Sequence, residues 1–182
     1  RKILLYAPTF RGSVARAESP ALLRGGRQLE DANGRELQIS RGLDLTALCD
    51  FLGNEYALVI KQHPFVKSHP QIPIGFADFA FDADDLPISD LLMAADVCVT
   101  DYSSVVFEYS LLNRPIAFFA YDLDDYGDWR GFFYDYEEMT PGPVCETTEE
   151  LVAFLQRVEG FDYDRLAEFR GRFMSACDGN AT

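Results

Sequence analysis

Two short apolar runs, Val97-Cys98-Val99 and Pro115 to Tyr121, show no amphipathic alternation, as expected of strands buried on both faces. Between them Val105 to Leu112 has helix length and ends at Asn113, with Pro115 just beyond as a stop signal. Strand, helix, strand is a βαβ unit, and its crossover is expected to be right-handed. Upstream, Lys2 to Ala7 reads as a strand ended by Pro8, and Asp44 to Leu52 as a helix stopped by Gly53-Asn54. Tyr56 to Lys61 is a further strand, and Phe76 to Phe81 alternates loosely enough for a short one. Ser89 is the expected cap of a helix from Asp90 to Ala95. Downstream, Thr147 and Glu150 fit a capping box that opens a helix to Glu159, stopped at Gly160. A last helix spans about Asp162 to Ala176.

Two stretches resist this reading. Thr9 to Gly42 is rich in Arg and Gly and has no sustained period. Its Asn33-Gly34 turn signal allows a weak hairpin between Arg27 to Leu29 and Leu37 to Ile39. A loop of this length is uncommon in a compact domain and usually functional or mobile. Asp122 to Pro143 is irregular, acidic and aromatic. Strands otherwise alternate with helices, without a repeat or a linker. The expected class is therefore α/β: one domain over 1–182, with a Rossmann-like, mostly parallel sheet and helices on both faces.

Composition narrows the function. The chain has 182 residues, enough to bury a sizeable core, and 15 Phe and 9 Tyr argue against disorder. The net charge is −14, unevenly spread: residues 1–70 carry +3 and residues 71–182 carry −17. Nonspecific nucleic-acid binding, which needs basic surface to displace counterions, is not expected. The modest basic bias at the front suits an anionic ligand or a membrane surface, or is plain solvated surface. No apolar run reaches the roughly 18 residues of a membrane span. Four cysteines at 49, 98, 145 and 177 form no Cys-x-x-Cys pair, which argues against zinc or a disulfide framework and fits a reducing, cytoplasmic setting. The abrupt start into a strand suggests a piece of a longer polypeptide.

The candidate chemistry gathers after the strands. Thr100, Asp101, Tyr102, Ser103 and Ser104 form a turn between a parallel strand and a helix, where such sheets hold phosphate. The alternative is capping, with Asp101 or Ser103 satisfying free amides of the helix and binding nothing. His63, between a strand and Pro64, is expected on the same edge, either as a structural histidine or as a donor to a phosphate oxygen. His69 is set aside as part of an exposed polar loop. Arg130 is the only basic residue between Pro115 and Arg157; it is either held by carboxylates and aimed at a phosphate, or salt-bridged to Asp128 or Asp135. Asp122-x-Asp124 resembles a metal-binding pair; a calcium loop begun at Asp122 is excluded because its twelfth position is Phe133, and two Asp in an acidic loop are mostly solvated charge, so no metal is expected. No Gly-x-x-x-x-Gly-Lys, Gly-x-Gly-x-x-Gly or Gly-x-Ser-x-Gly occurs, which argues against a nicotinamide dehydrogenase.

The ordered set Tyr6-Ala7-Pro8-Thr9-Phe10-Arg11, Lys61-Gln62-His63-Pro64, Val99-Thr100-Asp101-Tyr102-Ser103-Ser104-Val105, Asn113-Arg114-Pro115-Ile116, Tyr121-Asp122, Arg130-Gly131-Phe132-Phe133-Tyr134-Asp135 and Pro141-Gly142-Pro143 resembles the carboxyl-terminal half of the CDP-glycerol glycerophosphotransferases. The resemblance implies the nucleotide-binding half of a two-domain GT-B-type transferase. Such an enzyme moves glycerol phosphate from CDP-glycerol to a hydroxyl of a lipid-linked, teichoic-acid-like polymer and releases CMP, without a cofactor. It also implies that His63 and Arg130 serve catalysis by holding the donor pyrophosphate. Thr9, Arg11, Thr100, Asp101, Ser103, Ser104 and Glu108 complete the donor-binding set. A general base and an amino-terminal domain outside this chain are implied, as is a peripheral place at the inner face of the membrane. Three other readings stay open: a CDP-ribitol-using enzyme, the equivalent half of a nucleotide-sugar glycosyltransferase, and a non-catalytic docking module of wall assembly.

Overall fold

A computed structural model of the chain describes residues 1–9, 23 and 24, 42–66, 69–123 and 136–177. Its centre is a six-stranded sheet, every pair parallel, in the order β5-β4-β1-β6-β7-β8. The strands are β1 (Lys2–Tyr6), β4 (Tyr56–Ile60), β5 (Ala80–Asp82), β6 (Val97–Thr100), β7 (Ile116–Phe119) and β8 (Val144–Cys145). A separate parallel pair joins β2 (Leu23–Arg24) to β3 (Leu43–Asp44). The helices are α1 (Leu45–Leu52), α2 (Ile88–Ala94), α3 (Val105–Ser110), α4 (Tyr136–Met139), α5 (Thr148–Leu155) and α6 (Tyr163–Phe173).

Alternate side chains of the strands feed two cores, one on each face. Leu4, Tyr6, Val97, Val99, Ala117 and Phe119 pack with Leu45, Leu48 and Leu52 of α1 and Leu151 and Leu155 of α5. Leu5, Cys98, Ile116 and Phe118 pack on the other side with Leu91 of α2, Tyr109 of α3 and Leu166 of α6. Every residue of β6 and β7 is buried, which is why both strands read as continuous apolar runs. The expected α/β class with helices on both faces is the observed one.

Local chemistry accounts for most boundaries. Asp44 caps α1 by accepting from the amides of Thr46 and Ala47. Thr147 and Glu150 form the reciprocal capping box of α5. Asn113, at φ 53°, is the left-handed residue that turns the chain after α3.

Four expectations need correction. The strand placed at Phe76 to Phe81 lies at Ala80–Asp82, because Ile74–Phe76 coils into a 3-10 turn and only the later residues align with β4. Ser89 does not cap α2; Pro87 does so without a side-chain bond, its fixed φ delivering an extended entry. α5 ends at Leu155, and a 3-10 turn at Val158–Gly160 takes up the rest of the span. α6 stops at Phe173. The hairpin suggested between residues 27 and 39 lies outside the described residues.

Candidate functional site

The strand order fixes where a ligand can enter. From β1 the chain passes outward to β4 and β5, then returns to β6 on the other side of β1, so the sheet reverses between β1 and β6. In open parallel sheets the crevice beyond the carboxyl ends of two such strands is the ligand position. Thr9 follows β1 there, and Asp101 follows β6. The two are joined directly: the Thr9 amide donates to Oδ1 and Oδ2 of Asp101 at 2.8 and 3.0 Å, and the Thr9 hydroxyl donates to Oδ1 at 2.7 Å.

This bonding removes one of the two residues offered as a cap. Asp101 faces Thr9 and is not the cap of α3. Ser104 occupies the cap position without a side-chain cap bond, and Ser103 Oγ meets the amide of Val105 only at 3.4 Å. Ser103 is half-buried and Ser104 exposed, and both line a largely apolar cleft of about 290 Å³ between α3 and α6. Phe118 lines its floor, and Tyr102 and Tyr136 stand at its edge with ring centroids 5.2 Å apart. The Tyr136 hydroxyl donates to the carbonyl of Asp101 at 3.0 Å, and the Tyr102 hydroxyl to Asp122 at 3.2 Å. Along the outer wall Phe107 stacks on Phe169 and meets Phe173 edge-on.

His63 lies past β4, on the opposite side of Thr9 from Asp101, in a polar recess of about 300 Å³ lined also by Lys61, Gln62, Asp84 and Asp85. Its Nδ1 accepts from the amide of Phe65 at 3.2 Å, which leaves the proton of the neutral ring on Nε2. Burial pushes the His63 pKa below its ordinary value, and the smaller influence of the Asp101 charge opposes it. Near neutral pH the ring is a neutral hydrogen-bond donor.

The remaining sequence candidates fall in different places. Thr100 is fully buried, its hydroxyl donating to the carbonyl of Ala7 at 2.7 Å, so it stitches β6 to β1. Glu108 is exposed in the first turn of α3. Arg11 and Arg130 lie outside the described residues, as do Asp124, Asp128 and Asp135. Two features were not anticipated. Tyr136 was hidden in an aperiodic aromatic stretch. His69, set aside as an exposed loop residue, pairs through Nδ1 with Asp82 Oδ2 at 2.5 Å, and this raises its pKa. His69, Asp82 and Asp84 each bring one possible ligand atom within 4.8 Å of the others, near enough for a cation to span. Among the described residues, no helix is long and apolar enough to cross a membrane.

Comparison with known proteins shows the family. The chain is 36% identical over 183 residues to the teichoic acid poly(ribitol-phosphate) polymerase of Bacillus spizizenii, covering 100% of this chain and 26% of that protein. It is 35% identical over 182 residues to the teichoic acid glycerol-phosphate primase of Bacillus subtilis, covering 100% of this chain and 42% of the primase. The chain thus spans less than half the length of either relative. Among solved structures, the wall teichoic acid polymerase TagF superposes with a TM-score of 0.73 at 31% identity, over 96% of this chain and 39% of that one. A variant of that polymerase soaked with CDPG gives 0.70 at 29% identity, over 96% and 38%. The family model for CDP-Glycerol:Poly(glycerophosphate) glycerophosphotransferase matches residues 1–182, and the chain belongs to that family.

Proposed function

We propose that this chain is the donor-binding domain of a transferase that moves glycerol phosphate from CDP-glycerol to a hydroxyl of a teichoic-acid-like polymer, releasing CMP. The observation that carries the reading is the position of His63, Ser103 and Ser104 just past the carboxyl ends of β4 and β6, the two strands that flank β1. Hydrogen-bond donors past the ends of strands on either side of β1 suit an anionic diphosphate, and phosphoryl transfer asks the protein mainly to position groups and offset charge.

In the proposed reaction the acceptor oxygen attacks the phosphorus that carries glycerol. The bond from that phosphorus to the bridging oxygen breaks, and CMP leaves with the electron pair. His63, neutral and protonated on Nε2, donates a hydrogen bond to the departing phosphate. The serine hydroxyls hold the non-bridging oxygens. Arg130 and Arg11 carry their expected roles as phosphate partners. A base that takes the acceptor proton is assigned to a part of the full-length enzyme beyond this chain, as are the lipid-linked acceptor and the attachment to the membrane face.

A second donor has an observation of its own. Ribitol-phosphate enzymes stand among the relatives at similar identity to the glycerol-phosphate ones, which supports CDP-ribitol as the alternative donor. The test is an amide-resolved NMR titration with CDP-glycerol and CDP-ribitol. Shifts clustered at Thr9, His63 and Ser103 to Val106 are expected. Shifts confined to the outer α6 surface, or none, would reject the assignment.

A further inference from the structure

Three strand ends meet where the donor is placed. The register sets Ile60, Tyr6 and Val99 side by side, so β4 continues to His63, β1 to Thr9 and β6 to Asp101. Asp101 is 2% exposed, and both its carboxylate oxygens accept from Thr9. A carboxylate has no proton to give a phosphate oxygen, and its charge repels one. Its position beside residues assigned to a diphosphate therefore needs another reason.

We propose that Asp101 is a positioning residue: its buried carboxylate clamps Thr9 across the reversal point, fixing the exit of β1 against the Ser103–Ser104 turn and His63, and it does not touch the donor. The inference rests on the donor-site reading above and gives Asp101 a different role within it. The surrounding bonds make the clamp the last link of a continuous seam. Ala7 N donates to Val99 O at 2.9 Å, Thr100 Oγ1 to Ala7 O at 2.7 Å, and Thr9 to Asp101 closes the series. On the far side, Tyr136 donates to the Asp101 carbonyl, which ties the same residue to α4. Beyond the last ladder pair a chain would normally diverge from its neighbour; here side-chain bonds carry the alignment two residues further. That extension presents Thr9 to the crevice.

Asp101 also acts on His63 through its charge, in a recess whose other titratable residues are Lys61, His69, Asp84 and Asp85. Neutralising Asp101 is therefore expected to lower the His63 midpoint further, whereas changing Thr9 is not.

The 182-residue chain would be compared with Asp101→Asn, Thr9→Val and Thr9→Ser. CDP affinity is read by calorimetry, the His63 midpoint by NMR, and the Thr9 amide by hydrogen exchange. Asp101→Asn is expected to bind CDP about ten- to a hundredfold more weakly, as for loss of a charge-assisted bond, and to lower the His63 midpoint. Thr9→Val is expected to weaken CDP several-fold with the His63 midpoint unmoved, and Thr9→Ser to restore binding. Equal or tighter CDP binding by Asp101→Asn, which relief of charge repulsion alone would give, overturns the proposal. If that variant does not fold, unchanged CDP affinity in Thr9→Val overturns it instead. Failure of the unsubstituted chain to bind CDP would remove the donor reading. The clamp would then be decided by exchange at the Thr9 amide: at least tenfold faster in Asp101→Asn with β7 amides unchanged supports it, and unchanged exchange refutes it.

Discussion

Gly142 sits where the edge strand β8 enters the sheet, and replacing it with Ala is expected to be costly. A Cβ built there lies 2.0 Å from the carbonyl oxygen of Ile116, 3.0 Å from its carbonyl carbon and 3.3 Å from Cγ2. The first two neighbours are backbone, so no side-chain rotation relieves the clash. Ile116 is fully buried in β7 and paired with Cys98 of β6, so the 140–145 segment must move. Moving it strains the bonds from Phe118 N to Pro143 O at 2.8 Å and from Ala120 N to Cys145 O at 2.9 Å. It also pulls on the anchor from Arg165 Nε to Thr140 O at 2.7 Å. Two backbone bonds at about 1 kcal/mol each and overpacking of about 1–3 kcal/mol bring the cost to roughly 3–5 kcal/mol. For a domain of this size that lowers the melting temperature by about 6–20 °C. Gly160→Ala is the control, since nothing lies within 4 Å of its Cβ, and it should melt within about 2 °C of the parent. Calorimetric or circular-dichroism melting of both variants is the assay. A Gly142→Ala protein that melts like Gly160→Ala would refute the close-approach argument.

Three further outcomes follow from local chemistry. Thr147→Ala removes the acceptor of the Glu150 amide at 3.2 Å and opens the capping box, and should cost about 1 kcal/mol in denaturant unfolding. The two histidines should titrate on opposite sides of about 6.5, the ordinary value. His69, raised by Asp82, contributes stability below that pH that is lost as pH rises through its folded value. His63, lowered by burial, contributes stability above that pH that is lost as pH falls through its folded value. NMR of the ring protons checks both, and Asp82→Asn should bring His69 back toward the ordinary value. Finally, a thiol reagent should label the exposed Cys177 first. Cys98, whose pKa burial raises strongly, and Cys145, pushed up to about 12, should react only on unfolding.

Elements that carry their own chemistry were legible in the sequence. The buried runs of β6 and β7, the helix begun about Asp44, the capping box of α5 and the stop at Asn113 were readable because each depends on residues near in sequence. β8 was not readable: a pair of residues gains its identity only by lying against Phe118 and Phe119. β5 was misplaced by a few residues for the same reason, its span being set by the register with β4. The edge shared by His63 and the serine turn followed from the strand order. The partnership of Thr9 with Asp101 did not, since a contact across 92 positions leaves no local signal. The structure removes Asp101 as the cap of α3, since both its oxygens accept from Thr9 beyond β1.

The measurement that tests the donor site most directly is calorimetric titration of the chain with CDP-glycerol, CMP and UDP-N-acetylglucosamine, repeated on His63→Ala and on Ser103→Ala/Ser104→Ala. The account predicts selective binding of the cytidine ligands, weakened about tenfold or more in both variants. Preference for the uridine sugar, or cytidine binding that neither variant weakens, would contradict it.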